Sequence, residues 1–285
     1  MGGTLTMPGK IEFLGGGGVV STTSPISTDI DVNVTGTHDM RGTYSGTFRL
    51  LGGNMSSNFG AVLQGPAELS GGTFGGVTHF HNDVTFSGTV VSGSVSILSK
   101  GSWTSDANFS PSSGTVTFSG VGAQSVSMTS ASFRFPTLTV SSATSITTPL
   151  PIHILGNLNL NGSLTSSGSS IQVGDDLTIA STGSLTAPNA TTLLVGDNLY
   201  VSGVLSASSA VLDESNTNPG DNEAVAVFSG GTLTLGNGVH RIRGPFGMGG
   251  TLTMPGKIEF LGGGGVVSTT SPISTDIDVN VTGTH

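Results

Sequence analysis

Pairs of apolar residues recur along this chain about once every 20 residues, and this short period limits what the chain can fold into. One residue separates the two members of each pair, which is the alternation of a β-strand with one buried face. Such a period is typical of one coil of a parallel β-solenoid, in which each strand lies above its counterpart. The pairs begin at Val95, Val116, Leu138, Leu158, Leu177 and Leu199, at successive spacings of 21, 22, 20, 19 and 22 residues.

We expect these pairs to stack inward as the core of the coil. Further apolar residues before and after the pairs at Leu158, Leu177 and Leu199 predict three strands per coil, for example Ile171 with Val173 before Leu177, and Leu185 after it. The predicted fold class is therefore all-β, a right-handed parallel β-helix (β-solenoid) with about 20 residues per coil. The predicted core stack is Val95, Val116, Phe118, Leu138, Val140, Leu158, Leu160, Leu177, Ile179, Leu199 and Val201.

The predicted bends between strands carry a matching signal. Gly and then Asn or Asp come just before the strands that begin at Leu158, Leu177 and Leu199. We expect the glycine to supply a positive φ, and the Asn or Asp side chain to bond to backbone at the bend. The residues Asn157, Asp176 and Asn198 are therefore predicted to form a polar ladder along one corner of the coil.

A much longer repeat lies over the short one. Residues 1–38 recur letter for letter as residues 248–285, so the chain is predicted to be one solenoid unit of residues 1–247 followed by the start of an identical unit. Met248 stands where Met1 stands in the first copy, which indicates a window from a longer tandem array. Both copies present the same apolar strand to whichever coil precedes them, through the junction residues Leu5, Met7, Leu252 and Met254.

Composition limits the classes of function. The chain has 46 Gly, no Cys, 9% charged residues and a net charge of −9, and the straight-chain helix formers are scarce. Eight Lys and Arg make nucleic acid an unsuitable partner, because phosphate binding needs a basic face. No apolar run approaches the roughly 18 residues that span a bilayer, so we expect no membrane insertion in this segment. Without cysteine there are no disulfides or thiolate metal sites.

Residues 101–142, GSWTSDANFSPSSGTVTFSGVGAQSVSMTSASFRFPTLTVSS, resemble a repeat of very large secreted bacterial surface proteins. Residues 156–168, GNLNLNGSLTSSG, are similar to the next coil of that family. The resemblance implies an exported, β-helical, adhesin-like or fibre-forming surface protein, and it brings no catalytic residues with it. The matching positions are Trp103, Phe109, Gly114, Val116, Phe118, Gly120, Gly122, Gln124, Phe135, Leu138 and Val140.

Three groups of side chains are candidate metal ligands, and the first, Asp29, Asp31 and Asn33, is either an outward polar strand face or a Ca²⁺ site. Asp213, Glu214, Asp221 and Glu223 crowd the polar stretch 213–223 and are the better candidate for Ca²⁺, against a plain solvated loop. The residues His79, His81 and Asp83 alternate along one predicted strand, so they can face one side and hold a divalent metal, or form an exposed polar face. Apart from such an ion, no cofactor is expected.

We weighed three classes of function. The first is a structural repeat module of an extracellular fibre, located outside the cell or at its surface, with copies of itself as partners. The second is the stalk of a surface adhesin. The third is a polysaccharide-degrading enzyme, since the pair Asp175–Asp176 and the run 240–243 (His-Arg-Ile-Arg) echo elements of polygalacturonases. Aromatic platforms are few, with one Trp and two Tyr, and the further acidic element is missing, so we expect no enzyme.

Overall fold

The computed structural model describes residues 7, 9–106, 109–129, 133–215, 225–262, 266–270, 273 and 275–281. Among these residues there is no helix, and consequently none long and apolar enough to cross a membrane. Parallel strands stack about 19 residues apart, as in a β-solenoid, which confirms the predicted fold class. Right-handedness stays a prediction.

The chain divides into two compact units, residues Met1–Ser130 and Ala131–His285. The boundary of the long repeat, between residues 247 and 248, therefore falls inside the second unit. Strands of the second unit pair across that boundary, as Leu233 pairs with Leu252. The described strands of the second unit therefore stack without a break at this boundary. The long repeat is visible in the sequence and not as a gap in that stacking.

The first unit is built from long strands joined by short ones. Its longest strands run side by side, with Ile30 paired to Ile11 on one side and to Phe48 on the other. The strands of this unit are β1 Lys10–Ser21, β2 Asp29–Tyr44, β3 Phe48–Leu63, β4 Ala67–Leu69, β5 Thr73–Phe80, β6 Val84–Phe86, β7 Val90–Ser99, β8 Trp103–Ser105, β9 Ser113–Phe118 and β10 Gly122–Met128.

Aromatic side chains form the core of the first unit. Trp103 is 1% exposed, and its ring centroid lies 4.8 Å from that of Phe86 and 4.9 Å from that of Phe109. Such pairs contribute about 0.5–1.5 kcal/mol each beyond the area they bury. Trp103 and Phe109, which belong to residues 101–142, therefore pack in the interior and contact the neighbouring coil through Phe86.

The second unit has three short strands per coil, one in each of three parallel stacks. Stack A contains β12 Leu138–Val140, β15 Leu158–Leu160, β18 Leu177–Ile179, β21 Leu199–Val201, β24 Val225–Val227, β27 Phe246–Met248 and β30 Val267–Thr269. Stack B contains β13 Thr144–Thr148, β16 Ser163–Ser166, β19 Ser184–Thr186, β22 Val204–Ala207, β25 Thr232–Leu235 and β28 Thr251–Thr253. Stack C contains β11 Phe133–Phe135, β14 Ile152–Ile154, β17 Ser170–Val173, β20 Thr192–Val195, β23 Val211–Glu214, β26 Gly238–Ile242, β29 Gly256–Gly262 and β31 Asp276–Val281.

Aliphatic columns fill the second unit. In stack A, Leu138 pairs with Leu158, Leu158 with Leu177, and Leu177 with Leu199, all of them fully buried. Burial of each such side chain stabilises the fold by about 1.5–3 kcal/mol. The remaining predicted core residues of this unit, Val140, Leu160, Ile179 and Val201, are at most 1% exposed.

The predicted register is wrong by two residues at the end of β7. Val95, Val116 and Phe118 are all buried, but Val116 pairs with Ile97, and Val95 pairs with Gly114. Gly114 has a φ of +99°, and a Cβ there would lie 1.9 Å from the carbonyl oxygen of Val95. Only glycine tolerates this conformation and this close approach. The position of Gly114, rather than the spacing of apolar pairs, therefore determines the register of β9 on β7.

Candidate functional site

The polar ladder occupies the bends that precede β15, β18 and β21. Asn157 Oδ1 accepts the backbone N–H of Asp176 at 3.1 Å, one coil further along. Asp176 Oδ1 in turn accepts both the backbone N–H and the side-chain Nδ2 of Asn198, each at 3.1 Å. The structure therefore brings the three ladder residues together as a chain of side-chain to backbone hydrogen bonds along one corner.

The glycines of these bends act differently from the prediction. Gly156, Gly174 and Gly196 do not have a positive φ. A Cβ on Gly174 would lie 2.1 Å from the oxygen of Leu155, and one on Gly196 would lie 2.0 Å from the oxygen of Gly174. Glycine is needed there because consecutive coils approach closely, and the predicted reason for it was wrong.

Three carboxylates meet beside the ladder. Asp175, Asp176 and Asp197 each place an oxygen within 4.8 Å of the others, an arrangement that can hold a hard cation such as Ca²⁺. The backbone N–H of Asp197 donates to the backbone carbonyl oxygen of Asp175 at 3.2 Å, so coil stacking brings the two bends together. Sequence reasoning did not group these residues as metal ligands, although Gly-Asp-Asp at 174–176 and Gly-Asp-Asn at 196–198 stand one coil apart.

The Ca²⁺ candidate at residues 213–223 has a different structure from the one predicted. Asp213 and Glu214 belong to β23 and not to a loop, because they continue the pairing of Leu194 and Val195 onto the next coil. Asp213 forms an ion pair with Arg243, and Glu214 is fully buried, with its Oε2 accepting the N–H of Arg243 at 2.8 Å. Asp221 and Glu223 lie outside the described residues, so the Ca²⁺ site stays a prediction.

The residues His79, His81 and Asp83 do not converge on one site. Among the described residues, the possible ligand atoms that come together are those of Asp175, Asp176 and Asp197. Asp83 Oδ1 accepts the backbone N–H of Ser102 at 2.8 Å, which joins two coils at a bend. Burial is the main cause that lowers the pKa of His81, and the charge of Lys100 adds to it. These residues contribute to coil stacking and to a polar surface.

The two elements that echo polygalacturonases lie in different settings. Asp175 is exposed at a bend, whereas His240 points into the core of stack C and is fully buried. The Nδ1 atom of His240 accepts the N–H of Leu212 at 3.1 Å, and its Nε2 atom lies 3.0 Å from the oxygen of Gly236. Both ring nitrogens thus bond to backbone, so this imidazole is not presented to a substrate.

At the junction, the second copy of the 38-residue segment stacks directly on the coil before it. Leu252 pairs with Leu233, and Met254 is 2% exposed. In the first copy Met7 is 47% exposed, and Leu5 lies outside the described residues. The apolar strand that begins the segment therefore has a partner coil in the second copy.

The two copies repeat the same internal contacts. Lys10 pairs with Asp29, and Lys257 and Asp276, the residues 247 positions further along, pair in the same way. The following residue pairs of the two strands also agree. Lys10 Nζ lies 2.7 Å from Asp31 Oδ2, and Lys257 Nζ lies 2.8 Å from Asp278 Oδ2. These hydrogen bonds and the neighbouring carboxylates raise the pKa of Lys257 to about 12.

No family model, curated protein or solved structure matches this chain.

Proposed function

We propose that this chain is a structural repeat module of an extracellular fibre, in which each unit continues the β-solenoid of the unit before it. The observation that carries the proposal is the identical strand register of residues 10–15 on 29–34 and of residues 257–262 on 276–281. A segment that folds the same way in two places, and that stacks on the preceding coil, is suited to join unit to unit.

The long repeat indicates which coil would pair with β31. In the first copy, β2 has two neighbours, β1 and β3, whereas among the described strands β31 has one, β29. Because β31 has the sequence of the start of β2, the coil that covers β2 also fits on β31. That coil is residues 48–63 of a following unit, since in a separate chain these residues already pair with β2.

The resemblance of residues 101–142 to secreted bacterial surface proteins supports an exported fibre at the cell surface. The uncharged outward positions of stack B support a structural role, since pairs such as Thr165 and Thr186 present hydroxyl groups rather than a catalytic constellation. Inward columns hold each coil, and backbone pairing from coil to coil carries the length of the fibre.

The test of unit-to-unit stacking uses a longer chain, residues 1–247 followed by residues 1–285. Hydrogen exchange is measured in the internal copy of β31 and compared with β31 of the 285-residue chain. If the next coil covers this strand, its amides should exchange at least about tenfold more slowly in the longer chain. Equal exchange rates in the two chains would overturn the proposal.

Association between separate copies is tested by sedimentation velocity over a range of concentrations. Association should increase with concentration, and Val279→Lys should weaken it, because Val279 is 59% exposed on β31. Val121→Lys is the matched control, since Val121 is 91% exposed and belongs to a bend of the first unit rather than to β31. A chain that stays monomeric at every concentration would contradict a self-associating module, and immunolabelling of intact cells tests the extracellular location.

A further inference from the structure

The pairing of β26 on β23 is short compared with the neighbouring pairings of stack C. Among the described residues, these two strands share one residue pair, Asp213 with Arg241. By contrast, β20 and β23 share four residue pairs, from Thr192 with Val211 to Val195 with Glu214, and β26 and β29 share five. Since paired residues carry the backbone hydrogen bonds between coils, side chains take a larger part in holding this step, and the contacts of Arg243 with Asp213 and Glu214 are among them.

A histidine side chain also joins the coils at this step. His240 is fully buried, and its Nδ1 accepts the backbone N–H of Leu212, on β23, at 3.1 Å. Its Nε2 lies 3.0 Å from the oxygen of Gly236 and 3.4 Å from the oxygen of Pro255, just before β29. The ring therefore connects three successive coils, in a position that an aliphatic residue fills in the neighbouring coils, Leu212 on β23 and Ile258 on β29.

These contacts determine the protonation state of the ring. A backbone N–H can only donate, so Nδ1 must keep its lone pair, and a carbonyl oxygen can only accept, so Nε2 must carry the proton. A second proton would go to Nδ1, where it would meet the N–H of Leu212. It would break that hydrogen bond and place a charge in the core.

The surrounding charges act in both directions. Glu214 points inward on β23, and as a carboxylate it would favour a charged ring, but its Oε2 accepts the N–H of Arg243. Burial lowers the pKa of His240, against the two carbonyl contacts, which raise it. The charged residues on β23, β26 and β29 are Asp213, Glu214, Arg241, Lys257 and Glu259, and Arg243 directly follows β26.

We propose that His240 makes this step of the solenoid acid-sensitive: the coil of residues 238–242 stays stacked on residues 211–214 while the imidazole is neutral, and separates from it when the ring is protonated. In the open state the ring has the ordinary pKa of 6.5, and in the stacked state a lower one. Stacking is therefore fully stable above about pH 6.5, and is lost as the pH falls through the pKa of the stacked state.

The experiment is hydrogen exchange of the full chain, corrected for intrinsic exchange rates, at about pH 7.5 and about pH 5.5. Opening of residues 211–214 and 238–242 should rise by up to about tenfold at the lower pH. His240→Asn should abolish this rise, because an amide oxygen can still accept the N–H of Leu212 but does not titrate. His153→Asn is the control and should keep it, since His153 lies on an outward position of stack C.

A second measurement does not depend on how the variants fold. Nitrogen NMR of the wild-type chain should show His240 as the Nε2–H tautomer, neutral below the pH at which ordinary histidines titrate. The proposal is overturned if the ring is the Nδ1–H tautomer, if it becomes protonated while residues 211–214 and 238–242 stay protected, or if His153→Asn removes the pH dependence as well.

Discussion

Ile30 and Ile277 occupy the same position in the two copies of the 38-residue segment, yet Ile30 is 1% exposed and Ile277 is 42% exposed. Each pairs with an isoleucine on one side, Ile11 or Ile258. Ile30 also has Phe48 on the other side, whereas among the described strands β31 ends its sheet. The burial of this position therefore depends on the following coil and not on the segment's own sequence.

The same substitution should consequently have different effects at the two positions. Ile30→Asp places an unpaired carboxylate between two strands and should cost more than about 4 kcal/mol in the free energy of unfolding. Ile277→Asp leaves the carboxylate in contact with solvent and should cost less than about 1 kcal/mol. Urea unfolding of both variants measures this, and equal losses would show that the two positions are not in these different environments.

The polar ladder makes a second prediction. Asp176→Ala removes the acceptor of two hydrogen bonds from Asn198 and should lower the free energy of unfolding by about 1–3 kcal/mol. Asp176→Asn retains an Oδ1 in the same place and should cost clearly less. Urea unfolding distinguishes them, and equal losses for the two variants would mean that the carboxylate charge, rather than the hydrogen bonds, stabilises this corner.

Alkaline pH should weaken the first unit through Tyr44. Tyr44 is 1% exposed, its hydroxyl donates to the oxygen of Arg41 at 2.9 Å, and burial raises its pKa from 10.0 to about 12. A buried neutral phenol contributes stability below pH 10 that is lost as the pH rises from about 10 to about 12, by about 1–3 kcal/mol. Thermal unfolding across this range should show the loss, and Tyr44→Phe should reduce it. An unchanged alkaline profile in that variant would contradict the assignment.

Ala143 offers a stabilising substitution. It is exposed, lies in the turn between β12 and β13, and has a φ of 65° although it is not glycine. Ala143→Gly should raise the free energy of unfolding by about 0.5–1 kcal/mol, because relief of the backbone strain outweighs the added entropy of the unfolded chain. Ala123→Gly, at an exposed strand position, should instead be destabilising. Both are measured by thermal unfolding, and a destabilised Ala143→Gly variant would show that the turn holds no such strain.

The amino-acid sequence alone predicted the repeating strand and most of the core. Apolar pairs separated by one residue can bury only one face of a strand, and their period of about 20 residues places Leu138, Leu158, Leu177 and Leu199 in one column, as the structure has them. The position of Asn or Asp before each strand likewise predicted the ladder, because these side chains bond to backbone at bends.

What the sequence could not decide depends on contacts between coils. Glu214 looks like a loop residue by its charge, but the register of Val195 turns it into the core. His240 looks like part of a surface motif, but its ring replaces backbone pairing inside stack C. Ile30 and Ile277 have identical neighbours in sequence and opposite exposures. Local pattern determines which residues form a strand, whereas only the tertiary structure decides which strands cover it, since burial is a property of the neighbouring coils.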